Sequence, residues 1–217
     1  MKPCCKFAAG FQFQHAKPDE PWDEVLFESP NFVAMPTRGS LIEGWLLIVP
    51  REHHYCVGAF SPVLLAEFQL FRREVRQAME SIYGPVVAFE HGAAGSGRPV
   101  GCGVDHAHLH LVPWLGSFAD AVARYGVQDF QWQDVDGFHA LSTIHYTNED
   151  YLIFEEVNGV ARMAVSDVIP SQFFRQVIAA SIGQRDRYDW KQTSGIENVN
   201  STVRKLKAAF RACETTA

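Results

Sequence analysis

Short apolar runs broken by turn residues fill much of the chain's first half. The first 20 or so residues are mixed and proline-containing, an irregular lead-in. Glu24 to Glu28 and Asn31 to Met35 flank Ser29-Pro30, which predicts a hairpin. Thr37-Arg38-Gly39-Ser40 reads as a turn, and Trp45 to Pro50 as a buried strand ended by proline. Ser61-Pro62 places a cap and a first-turn proline before Leu64, Phe68, Phe71, Val75, Met79 and Ile82, which recur at helical spacing up to Gly84. Val86 to Phe89 predicts a strand, Gly92 to Gly103 a loop with five glycines, and Ala107 to Val112 a strand closed by Pro113. Further on, Phe118 to Tyr125 predicts a short helix. Tyr151 to Val157 and Val160 to Val165 flank the hairpin signal Asn158-Gly159. Gln172 to Ile182 and Val199 to Cys213 predict helices. The pattern describes an α+β domain with a C-terminal α+β extension. Its divisions are 1–21 (lead-in), 22–125 (main domain) and 126–217 (extension packed on it).

The 217 residues are 47% apolar and 20% charged, which excludes a disordered chain. A net charge of -6 argues against binding duplex nucleic acid by charge, though not against a basic pocket for one nucleotide. Apolar runs fall far short of the ~20 residues that span a bilayer, so no membrane partner is expected. The N-terminus lacks a signal-peptide core, and five cysteines in a chain this long predict no disulfide framework; a cytoplasmic location is expected.

In Asp105-His106-Ala107-His108-Leu109-His110-Leu111-Val112-Pro113, polar and apolar residues alternate. On a strand this turns His106, His108 and His110 to one face, about 6.5–7 Å apart. Packing alone gives no reason for three imidazoles in a row. Two chemistries suit them. One is metal ligation, since imidazole is a common ligand. The other is nucleophilic attack on phosphorus by an unprotonated imidazole, with its neighbours donating to the phosphate oxygens. The glycine-rich loop, which lets backbone N–H groups approach phosphate, favours the second.

The stretch from His106 to Val112 resembles the signature of the histidine triad (HIT) family at every position: three histidines, each followed by an apolar residue, and one more apolar residue at the end. Leu47-Ile48-Val49-Pro50-Arg51-Glu52-His53 resembles the family's upstream strand. Glu28 to Phe32 and Phe89-Glu90-His91-Gly92 resemble the bacterial branch related to dinucleoside polyphosphate hydrolases. The likeness covers roughly residues 22–115. It implies a five-stranded antiparallel sheet with packed helices. It also implies a hydrolase that cleaves at the α-phosphorus of a nucleoside phosphoramidate, dinucleoside polyphosphate or similar compound, with no cofactor and no metal. His108 becomes the nucleophile, and His106 and His110 orient it and contact phosphate oxygens. Nucleotide contacts are implied at Asn31, Trp45, His53, Glu90, Gly101 and Gly103. The partners implied are a nucleotide substrate and, as an option, a second copy in a homodimer. Histidine at position 110, where the transferase branch has glutamine, favours hydrolysis. A phosphorylase-type nucleotidyltransferase and a nucleotide-binding protein with a vestigial triad are the alternatives.

The sequence departs from the family's pattern in three places. Trp45 replaces a histidine, Gly103 a serine, and Thr37 an acid expected to hold ribose. Cys4-Cys5 lacks the spacing of a zinc pair. Arg175, beside a helix's apolar face, could reach a phosphate but is expected to be solvated or ion-paired, and Asp105 is expected to be structural.

Overall fold

The computed structural model describes residues 20–98, 100, 104–126 and 130–214, with side chains to residue 209. Residues 1–19 of the predicted lead-in, with Cys4 and Cys5, and also Gly101 and Gly103 lie outside these residues. Eight strands form one antiparallel sheet in the order β1-β2-β3-β5-β4-β7-β8-β6. They are β1 Phe27–Glu28, β2 Phe32–Pro36, β3 Leu46–Pro50, β4 Val86–Gly92, β5 Leu109–Pro113, β6 Gln133–Val135, β7 Tyr151–Glu155 and β8 Ala161–Val165. The helices are α1 Pro62–Tyr83, α2 Phe118–Tyr125, α3 Leu141–Thr147, α4 Phe173–Ser181 and α5 Ile196–Glu214. The expected five strands are therefore eight. β7 pairs along β4 from Ala88↔Glu155 to Gly92↔Tyr151 and carries β8 and β6 with it. The edge of β4 would otherwise present unpaired N–H and C=O groups, which the C-terminal half satisfies.

α1 starts where the sequence places its cap. Ser61 accepts from the Leu64 N–H at 3.3 Å, and Gly84 ends the helix at φ 79°. Its Phe68, Phe71, Val75 and Met79 pack on one face of the sheet, against Phe32, Ile48, Leu109 and Leu111. Burying side chains of this size contributes roughly 1.5–3 kcal/mol each. α2 and α4 cover the other face, where Phe118, Phe174 and Val177 join Trp45, Phe89, Val112 and Phe154 in a second core. At the β7–β8 turn Glu156 N–H donates to Val160 O at 2.8 Å, and only Gly159 takes a positive φ. The loop thus has three residues rather than two, the geometry that ends in a left-handed glycine.

Candidate active site

The site forms where β3, β5 and β4 lie side by side. Leu47 and Phe89 both oppose His110, so alternation puts Leu47, Phe89, His91, His110 and Val112 on the face away from α1. His106 and His108 precede β5, which starts at Leu109 and not at the expected Ala107. Two hydrogen bonds account for the later start. The Ala107 N–H donates to the His54 carbonyl at 2.6 Å, and the His108 ring donates back to the His106 carbonyl at 2.8 Å. A regular strand cannot make the second. The segment curls, and the His108 and His110 rings come to 4.9 Å between centroids, closer than straight-strand spacing gives. All three triad histidines are buried.

The partner atoms fix where each ring carries its proton, because a neutral imidazole has one donor and one acceptor nitrogen. A carbonyl only accepts, so His108 carries hydrogen on Nδ1, which leaves the ring lone pair on Nε2. His106 Nε2–H donates to the Pro50 carbonyl at 2.8 Å. His110 is the reverse of His108: its Nδ1 accepts from the Trp45 indole N–H at 3.0 Å, so its hydrogen is on Nε2. That Nε2 is buried and has no hydrogen-bond partner among the described residues. The His110 ring stacks on Phe89 at 4.5 Å. Burial removes the water that would stabilise an imidazolium. It pushes His106 down to about 4 and His110 well below the ordinary histidine value, with the nearby His108 pushing the same way. These rings are therefore neutral near pH 7.

The other expected site residues are distributed as follows. Trp45 contacts the triad directly. His53 lies edge-on to His106 at 5.3 Å and donates to the Asp105 carbonyl at 2.6 Å. Glu90 faces the α1 side of β4, where it accepts from Val57 N–H at 2.8 Å and Tyr151 Oη at 2.6 Å. Asn31 is held by Glu67 of α1 at 2.6 Å. Asp105 accepts from Ser96 and Gly97, which anchors the glycine-rich loop.

Two residues without an assigned site role, His91 and Arg175, lie on the triad face. His91, 6.3 Å from His110 between ring centroids, accepts at Nε2 from the Phe174 N–H at 3.2 Å and is pushed down to about 3 by burial. Arg175, expected to be solvated or ion-paired, is buried with its guanidinium 4.8 Å over the Trp45 ring. Its Nε donates to the Tyr188 carbonyl at 2.8 Å and its Nη2 to that of Gly39. Alternation along β4 is the one signal that favours His91 over Glu90, once the pairing with His110 is known. Among the described residues, no group of three or more His, Cys, Asp or Glu side chains is placed to hold a metal ion.

An α+β fold whose antiparallel sheet holds three buried histidines beside one another defines a candidate imidazole-based site. No family profile matches the chain. It is 27% identical to zinc finger CCCH domain-containing protein 64 of Arabidopsis thaliana over 174 residues, which is 74% of this chain and 28% of that protein. The chain thus spans little more than a quarter of that relative's length. The solved structures it is similar to include several described as HIT-like or HIT-family proteins, the family whose signature residues 106–112 resemble. One is a HIT-like protein of Bartonella henselae, at 15% identity over 52% of this chain and 81% of that one, TM-score 0.42. Another is a HIT-family member of Bacillus subtilis, at 17% identity over 54% and 84%, TM-score 0.41. A third is yeast Ap4A phosphorylase with AMP, at 12% identity over 63% and 56%, TM-score 0.39. No helix among the described residues is long and apolar enough to cross a membrane.

Proposed function

We propose that the chain is a HIT-type nucleotide hydrolase that cleaves at the α-phosphorus through a nucleotidyl-histidine on His108. One observation carries this reading. The His106 carbonyl holds His108 Nδ1–H at 2.8 Å, so the unprotonated ring has its lone pair on Nε2, beside the buried Nε2–H of His110. A nucleophile and a hydrogen-bond donor are thus adjacent, the pairing that attack on a phosphoryl group requires.

In the first step His108 Nε2 gives its electron pair to the α-phosphorus. A P–N bond forms, the bond to the leaving group breaks, and the leaving group departs with that electron pair and takes up a proton. The charge on the phosphoryl oxygens is met by His110 Nε2–H and by backbone N–H groups. In the second step a water oxygen attacks the same phosphorus and the P–N bond breaks. The nucleoside monophosphate leaves, and His108 returns to its neutral form. Residues 22–125 supply the histidines in this reading, and α4 of the C-terminal part helps α2 to cover their face of the sheet.

The test is rapid quenching into base during turnover of a nucleoside phosphoramidate labelled in the nucleotide. A phosphoramidate survives base and falls in acid. Label on a peptide containing His108, released by acid, is the expected result. Label on His53, His91 or a cysteine overturns the assignment. Inorganic phosphate in the reaction separates the reaction types: a hydrolase still gives the monophosphate, whereas a transferase gives the diphosphate.

A further inference from the structure

We propose that Trp45 is a positioning residue that fixes the proton of His110. Its indole N–H holds Nδ1 of His110 as an acceptor, so that His110 meets the phosphoryl group as a permanent Nε2–H donor and not as a base or proton carrier. The inference rests on the reading of His108 as the nucleophile and gives the neighbouring histidine its role.

An indole N–H can only donate. A histidine or hydroxyl at position 45 can exchange donor and acceptor roles with His110, and tryptophan cannot. The 3.0 Å contact therefore admits one neutral tautomer. It also disfavours the imidazolium, whose Nδ1–H would meet the indole N–H donor to donor in a buried place. Rotation of the ring is hindered as well, since His110 stacks on Phe89 at 4.5 Å with only 15° between planes.

The indole is held in turn by the C-terminal half. The Arg175 guanidinium lies 4.8 Å over its ring, and a cation on that face favours the N–H dipole that points at His110. Arg175 is anchored on the Tyr188 and Gly39 carbonyls. Gly39 permits this approach: it has φ +75°, and a Cβ there would lie 2.8 Å from Arg175 Nη2. The positive charge of Arg175 is also among the influences that keep His110 and His91 unprotonated.

The test reads the tautomer directly. In the full chain with 15N-labelled histidine, two-bond nitrogen–proton correlation spectra show which nitrogen of His110 carries hydrogen; His110→Gln assigns the signals. The wild type should show a single neutral Nε2–H form from pH 5 to 8. Replacing Trp45 with 3-benzothienylalanine keeps the shape but puts sulfur where the N–H was. It should raise the Nδ1–H population of His110 about tenfold, the weight of one buried hydrogen bond. Single-turnover transfer to His108 should slow in proportion to the share of the Nε2–H form that is lost. Trp45→Phe should act in the same direction. A cationic or Nδ1–H form of His110 in the wild type, an unmoved tautomer or an unmoved rate overturns the inference. Failure of the hydrolase reading itself is distinct: it appears as no label on His108 in the wild type.

Discussion

Tyr151 Oη donates to Glu90 at 2.6 Å on the side of β4 opposite His91. The same carboxyl accepts the Val57 N–H at 2.8 Å, and the Gly58 N–H donates to Tyr151 Oη at 3.3 Å. One buried acid and one phenol thus pin the turn that follows His53-His54 to the centre of the sheet. Since His54's carbonyl holds the Ala107 N–H, this clamp supports the segment that curls the triad. Glu90 lies behind the site rather than in it.

Burial pushes the Glu90 carboxyl up to about 7, against the downward pull of its two hydrogen bonds. An unfolded glutamate titrates near 4.3. Between these values the folded state binds the proton and the unfolded state does not. Stability from this group is therefore full below about pH 4, falls by up to about 1.4 kcal/mol per pH unit as pH rises towards 7, and then levels off. Urea midpoints of wild type and Glu90→Gln, compared at pH 5 and pH 8, should converge or cross in favour of the amide at the higher pH. An identical gap at both values means that Glu90 is ionised in the fold.

His108→Ala should keep the wild-type circular dichroism spectrum and nucleotide affinity within a few-fold. Turnover should fall by more than about a thousandfold, as it does when a covalent nucleophile is removed. Residual activity above a tenth of wild type removes His108 from that role.

The triad and its surroundings were legible because they are local: His106, His108 and His110 lie within one short segment, and Trp45 immediately precedes the strand that pairs with it. What was not legible depends on register between distant segments. Nothing in the sequence tells whether Glu90 or His91 shares a face with His110, because the pairing Phe89↔His110 closes across the glycine-rich loop. Arg175 reads as a surface residue until the fold carries it to Gly39, 136 positions away in the chain. The hairpin of β7 and β8 is legible from Asn158-Gly159, but that it continues the main sheet is not, since only the pairing of Tyr151–Glu155 along β4 joins the extension to it. α3 has no strong sequence signal: its Ser142, Thr143 and Thr147 are weak helix formers. It holds by packing, with Leu141 buried in the core and its carbonyl so near Gly58 that a Cβ there would lie 2.7 Å away.

Gly92→Ala should be disproportionately costly for a single methyl group. A Cβ at Gly92 would lie 2.0 Å from Tyr151 Cζ, in the ring that clamps Glu90. Neither the strand backbone nor a fully buried tyrosine can move away freely. Overpacking of this kind costs about 1–3 kcal/mol, and more where backbone must shift. A urea midpoint close to wild type shows that the ring has room to turn.

Glu155 should matter more for stability than any exposed ion pair in the molecule. It accepts from Arg72 at 2.8 Å and also from Arg76, and its side chain is only 7% exposed. Both arginines belong to α1, whereas Glu155 ends β7, so the cluster ties the first half of the chain to the C-terminal half across the paired strands β4 and β7. Glu155→Ala leaves two half-buried guanidiniums without that carboxylate. The cost expected for breaking a buried pair on one side is about 3–5 kcal/mol. Arg162 and Asp134, at 41% and 74% exposure, form a surface pair between β8 and β6 at 3.1 Å, and Asp134→Ala should change stability by no more than about 1 kcal/mol. The two variants, unfolded in urea side by side, check both values. If Glu155→Ala stays within 1 kcal/mol of wild type, continuity of the sheet and the apolar cores, and not this ionic cluster, hold the two halves together.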